Sequence, residues 1–193
     1  MKEYNNSFIE HIATNAVEKE MLKYPRSLMP YIGKNDKTPI WDGQVFVYKD
    51  YEQKKSDFEY KIDLQIKGRH VERLSNGNIK YPVKVEDIKG YQKVKTGTVY
   101  FVVEFIDIDN YRIYYKNFLP LDIKEELEKI KEKDQKTISC LFRPVVESTQ
   151  SSINRICLNF VQNSRIQSNI KIKNVDIEKL NVSTIKIPLI DDY

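Results

Sequence analysis

Glycine is scarce in this chain: the six glycines, at 33, 43, 68, 77, 90 and 97, nowhere approach a GxxxxGK[ST] or GxGxxG spacing. Loops of those kinds need glycine where the backbone closes on a phosphate, so nucleotide binding through them is excluded. Histidine is scarcer still. His11 and His70 stand alone in the sequence, with no supporting constellation for a catalytic role, and no nucleophile elbow or Cys/His signature occurs. Cys140 and Cys157 form no CxxC pair. Two separated thiols read as reduced and partly buried in a cytoplasmic protein, rather than as a disulfide framework or a zinc site. Long apolar runs are missing too: "VYFVVEFI", residues 99–106, is interrupted by Glu104 and falls far short of the roughly 20 apolar residues that cross a bilayer. The opening "MKEYNNSFIEHI" has no apolar stretch of the signal-peptide kind. No membrane association is expected.

What is present describes a folded globular chain. Its 193 residues suffice for one well-filled core, or one core with a small appendage. Hydrophobic residues make up 40% and thirteen tyrosines are present, which argues against disorder. The net charge of +4, from 32 basic and 28 acidic residues, is too small an excess to establish a nucleic-acid partner by itself.

Periodicity supplies the elements. "SFIEHIATNAVEKEML" has helical spacing, with Ser7 as a candidate N-cap. On that helix Glu18 falls opposite the apolar stripe, Glu10 on its edge and Glu20 near its centre, so Glu10 and Glu20 are the acids able to look inward. Pro25 and Pro30 end the helix, and residues 32–39 read as loop. "WDGQVFVYK" is a strand. After a polar turn, "FEYKIDLQIKG" alternates, with Phe58, Tyr60, Ile62, Leu64 and Ile66 on one face and Glu59, Lys61, Asp63, Gln65 and Lys67 on the other. "SNGN" has turn chemistry, "VEDIKGYQK" reads as a short helix, and "TVYFVVEFI" reads as a central strand covered on both faces. A further strand, "YRIYYKNF", precedes an amphipathic helix defined by Leu121, Ile123, Leu127 and Ile130. "TISCLFRPV" is a strand, and Ile153, Ile156, Cys157, Phe160 and Val161 line a helix capped near Ser148 or Thr149. The tail "NIKIKNVDIEKL" and "VSTIKIPLI" reads as short β-rich pieces.

The residues able to carry chemistry form an ordered set: a helix acid, then Trp41-Asp42-Gly43 opening a strand, then Gln65-Ile66-Lys67 on the next strand. Period two places Gln65 and Lys67 side by side, and hairpin pairing brings Asp42 toward the same end of the sheet. An aspartate, an amide or peptide carbonyl and a lysine suit a hard cation beside a scissile phosphate: Asp42 offers a charged oxygen, Gln65 and the Ile66 peptide offer neutral ones. Lys67 can orient or deprotonate an attacking water, or neutralise charge in the transition state. On alternation alone, Gln65 and Lys67 are equally well explained as ordinary residues of a solvated strand face.

The order of these pieces resembles the PD-(D/E)xK nuclease superfamily, in its Mrr-like and DUF4365-like branches with a QxK motif. The matching stretches are "IWDG" at 40–43, "LQIKG" at 64–68, "VEDIKGY" at 85–91, and "GTVYFVVEF" followed by "YRIYYKNFLPLDI". The resemblance covers roughly residues 7–135. It implies an α/β (α+β) fold with a restriction-endonuclease-like mixed central sheet flanked by helices. Residues 1–135 would be the nuclease-like domain, and 136–193 an extension that completes it, forms an oligomer interface or starts a further module. It also implies a metal-dependent endonuclease that hydrolyses DNA, with Asp42, Gln65 and Lys67 catalytic. Glu10, Asp42 and Gln65 would place Mg²⁺, or Mn²⁺ in its stead, with Glu20 the reserve helix acid. The sequence departs from the pattern in having Trp41 where the family has proline, and in the neutral Gln65. An effector of bacterial anti-phage or restriction-like defence, working with a further sensing domain or partner subunit, is the implied setting. A homodimer is expected, since cutting both strands needs two sites, with the 153–161 helix and the β-rich tail as its interface. The alternative is a noncatalytic nucleic-acid- or protein-binding module of the same fold.

Overall fold

A computed structural model describes residues 4–33, 40–94, 96–130, 134–146 and 152–169. The elements are α1 (Asn6–Met21), β1 (Leu28–Ile32), β2 (Gly43–Tyr48), β3 (Phe58–His70), β4 (Ile79–Lys84), α2 (Val85–Gln92), β5 (Thr98–Phe105), β6 (Tyr111–Phe118), α3 (Pro120–Glu128), β7 (Thr137–Pro144) and α4 (Ile153–Asn169). The seven strands form one mixed sheet in the order β1-β2-β3-β5-β6-β7-β4. Only β3 and β5 run parallel; the other pairs are antiparallel. A parallel pair needs a crossover connection, and the segment carrying β4 and α2 supplies it.

Each face of the sheet buries its own core. On one, Ala13, Ala16, Val17 and Met21 of α1 and Ile156, Cys157 and Phe160 of α4 pack on Val45, Val47, Ile62, Leu64, Ile66, Val99 and Phe101. On the other, Ile88 and Tyr91 of α2 and Ile123 of α3 pack on Tyr100, Val102, Tyr114, Phe118 and Phe142. β5 lies between the two cores and all eight of its residues are buried, as its unbroken apolar sequence implies. Both cysteines are buried free thiols, and desolvation pushes each up to about 12.

Several expectations are corrected. The α1 N-cap is Asn5, whose side chain accepts the Phe8 N–H at 2.8 Å, and not Ser7. Pro30 does not mark the end of the helix: α1 stops at Met21 and Pro30 sits in β1, whose last residue, Ile32, falls in the stretch read as loop, while Pro82 sits in β4, a strand that sequence reading passes over. These are the two edges of the sheet, where a residue without an N–H is tolerated and blocks pairing with another chain. Leu121 is 44% exposed, so the buried stripe of α3 starts at Ile123. Phe58 does not share the inner face with Tyr60. The register shifts between Val47 and Tyr48, so that Val47 pairs with Tyr60 and Tyr48 with Phe58, and this bulge turns Phe58 to the opposite face. The apolar side of the 153–161 helix, offered by the sequence as an interface, is consumed by the chain's own core. Residues 148–149 and the β-rich tail lie outside the described residues. No described helix is long and apolar enough to cross a membrane.

Glu104, the one charge in the central run, is fully buried on β5. Arg69 of β3 donates to it, Ser75 donates its N–H at 2.8 Å and its hydroxyl at 3.0 Å, and Tyr114 OH lies 3.3 Å away. Burial pushes this carboxyl up, but the Ser75 and Arg69 donors outweigh burial and hold it below the ordinary glutamate value. A lowered folded value means that the stabilisation is full above about pH 4.5 and is lost as pH falls through the folded value. Glu104→Gln is therefore expected to lose about 2–3 kcal/mol at pH 7, and urea melts should show the gap to wild type narrowing below about pH 4.5.

Candidate active site

Asp42 precedes β2 and is fixed through its backbone before its side chain is considered. Its N–H donates to Leu64 O at 2.9 Å, and its C=O accepts from Gly33 N–H at 3.0 Å. The two residues ahead of it are anchored elsewhere. The Trp41 indole donates to Thr98 Oγ1 at 3.0 Å. Ile40 holds a left-handed φ of 86°, a conformation a β-branched residue adopts only when its surroundings impose it. Its side chain lies where a Cβ on Gly90 would sit, 2.7 Å from Ile40 Cδ1. The absence of a side chain at position 90 is thus what lets the 40–42 segment dock on α2.

From that position the Asp42 carboxylate reaches β3. Oδ2 accepts the Ile66 N–H at 2.7 Å and a short hydrogen bond from the Gln65 amide. Lys67 Nζ lies 3.4 Å from Oδ1 and 3.3 Å from Oδ2. The three residues taken from sequence, Asp42, Gln65 and Lys67, are brought together by direct contact. They differ in access: Gln65 is 4% exposed, while the Asp42 and Lys67 side chains are 19% and 41% exposed. The buried amide forms the floor and the two charges form the mouth.

Helix α2 completes the enclosure with residues the sequence reading did not single out. Tyr91 OH donates to Gln65 Oε1 at 3.4 Å, and burial, followed by the fields of Asp87 and Asp42, raises the tyrosine well above its ordinary value. Asp87, one helical turn earlier, is half-buried; burial raises its carboxyl, Lys84 and Lys67 work against that, and Glu86 and Asp42 add to it. An i, i+4 pair of Asp and Tyr in "VEDIKGY" places both on one helix side, a signal available in the sequence once α2 is known to face β3.

The helix acids stand apart from this cluster. Gly68 shows why: a Cβ there would meet Ile9 Cγ2 at 2.6 Å, Ile9 O at 2.7 Å and Ala13 Cβ at 3.1 Å, so α1 lies on the Gly68 face, opposite Lys67. Glu10 is half-buried on α1, and among the described residues no hydrogen bond or ion pair joins it to Asp42, Gln65 or Lys67. Glu20, about 15 Å farther along the helix, pairs with Lys23 at 2.7 Å and accepts from Tyr111 OH at 3.4 Å. His70 packs its ring against Tyr4 and Phe105.

The donor set bears on whether a cation fits. Among the described residues no three His, Cys, Asp or Glu side chains converge as a metal-binding group. Asp42 is the carboxylate at the centre of the cluster; Gln65 turns its amide N–H₂ to Asp42 and its carbonyl to Tyr91. Mg²⁺ commonly binds through one or two carboxylates and keeps several waters; here Asp42 would be its one carboxylate, and the Gln65 oxygen would join only after the amide turned over. Comparison with known proteins adds no family to this geometry: no protein-family model, curated protein or solved structure matches the chain.

Gln65→Glu probes the charge balance. Without a cation, a carboxylate at 65 loses the donor to Asp42 and places two negative charges together under burial, which raises the new acid's pKa. A carboxyl raised in the folded state destabilises increasingly as pH rises above its unfolded value. The variant is expected to be less stable than wild type by about 1–3 kcal/mol at pH 8, to approach wild type near pH 5, and to regain stability at pH 8 on adding Mg²⁺. Thermal melts across pH and Mg²⁺ concentration measure this.

Proposed function

We propose that the Asp42–Gln65–Lys67 cluster is the centre of a metal-dependent endonuclease that hydrolyses DNA phosphodiester bonds. The observation that carries this reading is Lys67 Nζ lying within 3.3–3.4 Å of both Asp42 carboxylate oxygens at a solvent-open mouth. An ammonium held there sits where a phosphate oxygen or its attacking water would approach a cation-binding carboxylate.

Asp42 and the Gln65 carbonyl would hold Mg²⁺, with Mn²⁺ as substitute, and the ion would supply Lewis acidity toward the phosphate. The remaining work falls to the chain's own groups. Lys67, partly exposed, moves between Asp42 and the substrate, orients the water and neutralises charge that builds on the phosphoryl oxygens. Tyr91 fixes which way the Gln65 amide points, because its OH donates to Oε1. Rotating that amide so that its oxygen faces a cation takes its N–H₂ away from Asp42 and makes Tyr91 OH the acceptor instead of the donor, so metal binding and amide orientation are coupled. Asp87, with its raised carboxyl, stands as a second acid at the rim. An active dimer and a role in anti-phage defence extend this reading and rest on the resemblance alone.

One observation favours a second reading, a noncatalytic binding module. Gln65, Ile66 N–H and Lys67 together satisfy Asp42 without any cation. A glutamine is the residue that allows such closure, since a carboxylate in its place could not donate.

Lys67→Ala separates the two. With Mg²⁺ present, purified wild type is expected to nick or linearise plasmid DNA. Lys67→Ala should lose that activity by a factor of about 10² or more, while its stability changes by no more than about 0.5 kcal/mol, as befits a half-exposed pair. Equal cleavage by variant and wild type would contradict the assignment, and no cleavage by either would favour the binding module.

A further inference from the structure

The bulge that turns Phe58 outward assembles a surface the nuclease reading does not use. Phe46 and Tyr48 alternate onto the face of β2 opposite the fully buried Val45 and Val47. On that face Tyr31 of β1 meets Phe46 edge-on with centroids 5.1 Å apart, Phe46 meets Phe58 at 5.9 Å, and Phe58 meets Tyr48 at 6.1 Å. Tyr31 and Phe58 are 56% and 47% exposed. With Lys55 the four rings line a depression of about 320 Å³. A single 3-10 turn, Lys55–Asp57, borders it through Lys55, and no described α-helix contributes to its lining.

Position gives this patch its meaning. Asp42, Gln44, Phe46 and Tyr48 share a face by alternation, and β2–β3 pairing puts Asp63 beside Gln44 and Lys61 beside Phe46. The face therefore runs from the Asp42–Lys67 mouth, past Tyr31 and Gln44, to Phe46 and Tyr48 at about 13 and 20 Å along the strand. Lys61 and Lys55 flank the rings, although Lys61 also contacts Asp63 at 2.9 Å. Aromatic rings interleaved with cations along one track are what stacks unpaired bases while pairing their phosphates; a duplex hides its base faces and has no use for exposed rings.

We infer that Tyr31, Phe46, Tyr48 and Phe58 form a stacking platform for single-stranded DNA that leads to the Asp42–Lys67 site. What happens to the bound strand rests on the nuclease reading; the binding itself does not. The size of the surface fits a few nucleotides, at about 3.4 Å per stacked base.

The test measures fluorescence anisotropy in EDTA, where no cleavage can occur. The probes are labelled oligothymidylate, a duplex of equal length and an abasic oligodeoxynucleotide. Wild type should bind oligothymidylate at least about tenfold more tightly than the other two. The double variant Tyr31→Ala/Phe58→Ala should lose that preference, with duplex and abasic affinities unchanged. Tyr31→Trp/Phe58→Trp should keep it. Both truncated residues are half-exposed, and melting curves check that the fold survives. Equal affinity for the three probes, or wild-type binding by the double alanine variant, overturns the platform. So does a wild-type dimer that the double variant dissociates in gel filtration, since the patch would then be covered by a second copy. Because the readout needs neither cation nor hydrolysis, loss of the nuclease reading in the plasmid assay would leave this result standing, and the reverse.

Discussion

The Asp42 carboxylate bonds to the middle of β3, and the local architecture is arranged around that bond. One oxygen accepts both the Ile66 N–H and the Gln65 amide, which ties the 40–42 segment to the sheet beside its parallel β3–β5 pair. Neighbouring features serve that attachment: Trp41 bonded to Thr98, Ile40 seated over a side-chain-free Gly90, and Tyr91 holding the far end of Gln65. A buried amide costs free energy unless both its ends are paired. Here one end faces a carboxylate and the other a tyrosine, so the pairing fixes the position of a charge at the surface.

The same arrangement ranks the two functional readings. A site built for a cation usually concentrates negative charge and relies on the ion to relieve it. This one has its repulsion already relieved, by an amide donor and by an ammonium. The cost of that choice is weaker attraction for a divalent ion; what it preserves is a stable fold without one. For a cation to take both Asp42 and the Gln65 oxygen, Lys67 would have to move off the carboxylate and the Gln65 amide would have to turn over.

Sequence made the central part of this legible because period two is rigid: Gln65 and Lys67 had to share a face, and β2–β3 pairing had to bring Asp42 alongside. The unbroken run of β5 likewise told of a strand with a core on each side. What sequence hid follows from long-range packing. Pro30 reads as a helix stop and the stretch around Pro82 carries no strand signal, yet both sit in edge strands, which accept proline. The bulge opposite Tyr48 leaves no mark in the alternation of "FEYKIDLQIKG", so by period two Phe58 reads as sharing the face of Tyr60. Glu10 looked inward on a helical wheel, but a wheel does not say which face of the sheet the helix covers; that is set by Gly68 admitting Ile9 and Ala13. Asp87 and Tyr91 were visible as a spaced pair and lacked only knowledge of what α2 packs against.

Whether Asp42 and Gln65 share a cation is the claim on which the enzymatic account stands, and anomalous scattering from crystals soaked in Mn²⁺ addresses it most directly. The account predicts a peak about 2.1 Å from an Asp42 oxygen, with the Gln65 amide turned so that its oxygen faces the ion and Lys67 moved aside. No peak at this position, with Gln65 still donating to Asp42 and Lys67 still against both carboxylate oxygens, would contradict it.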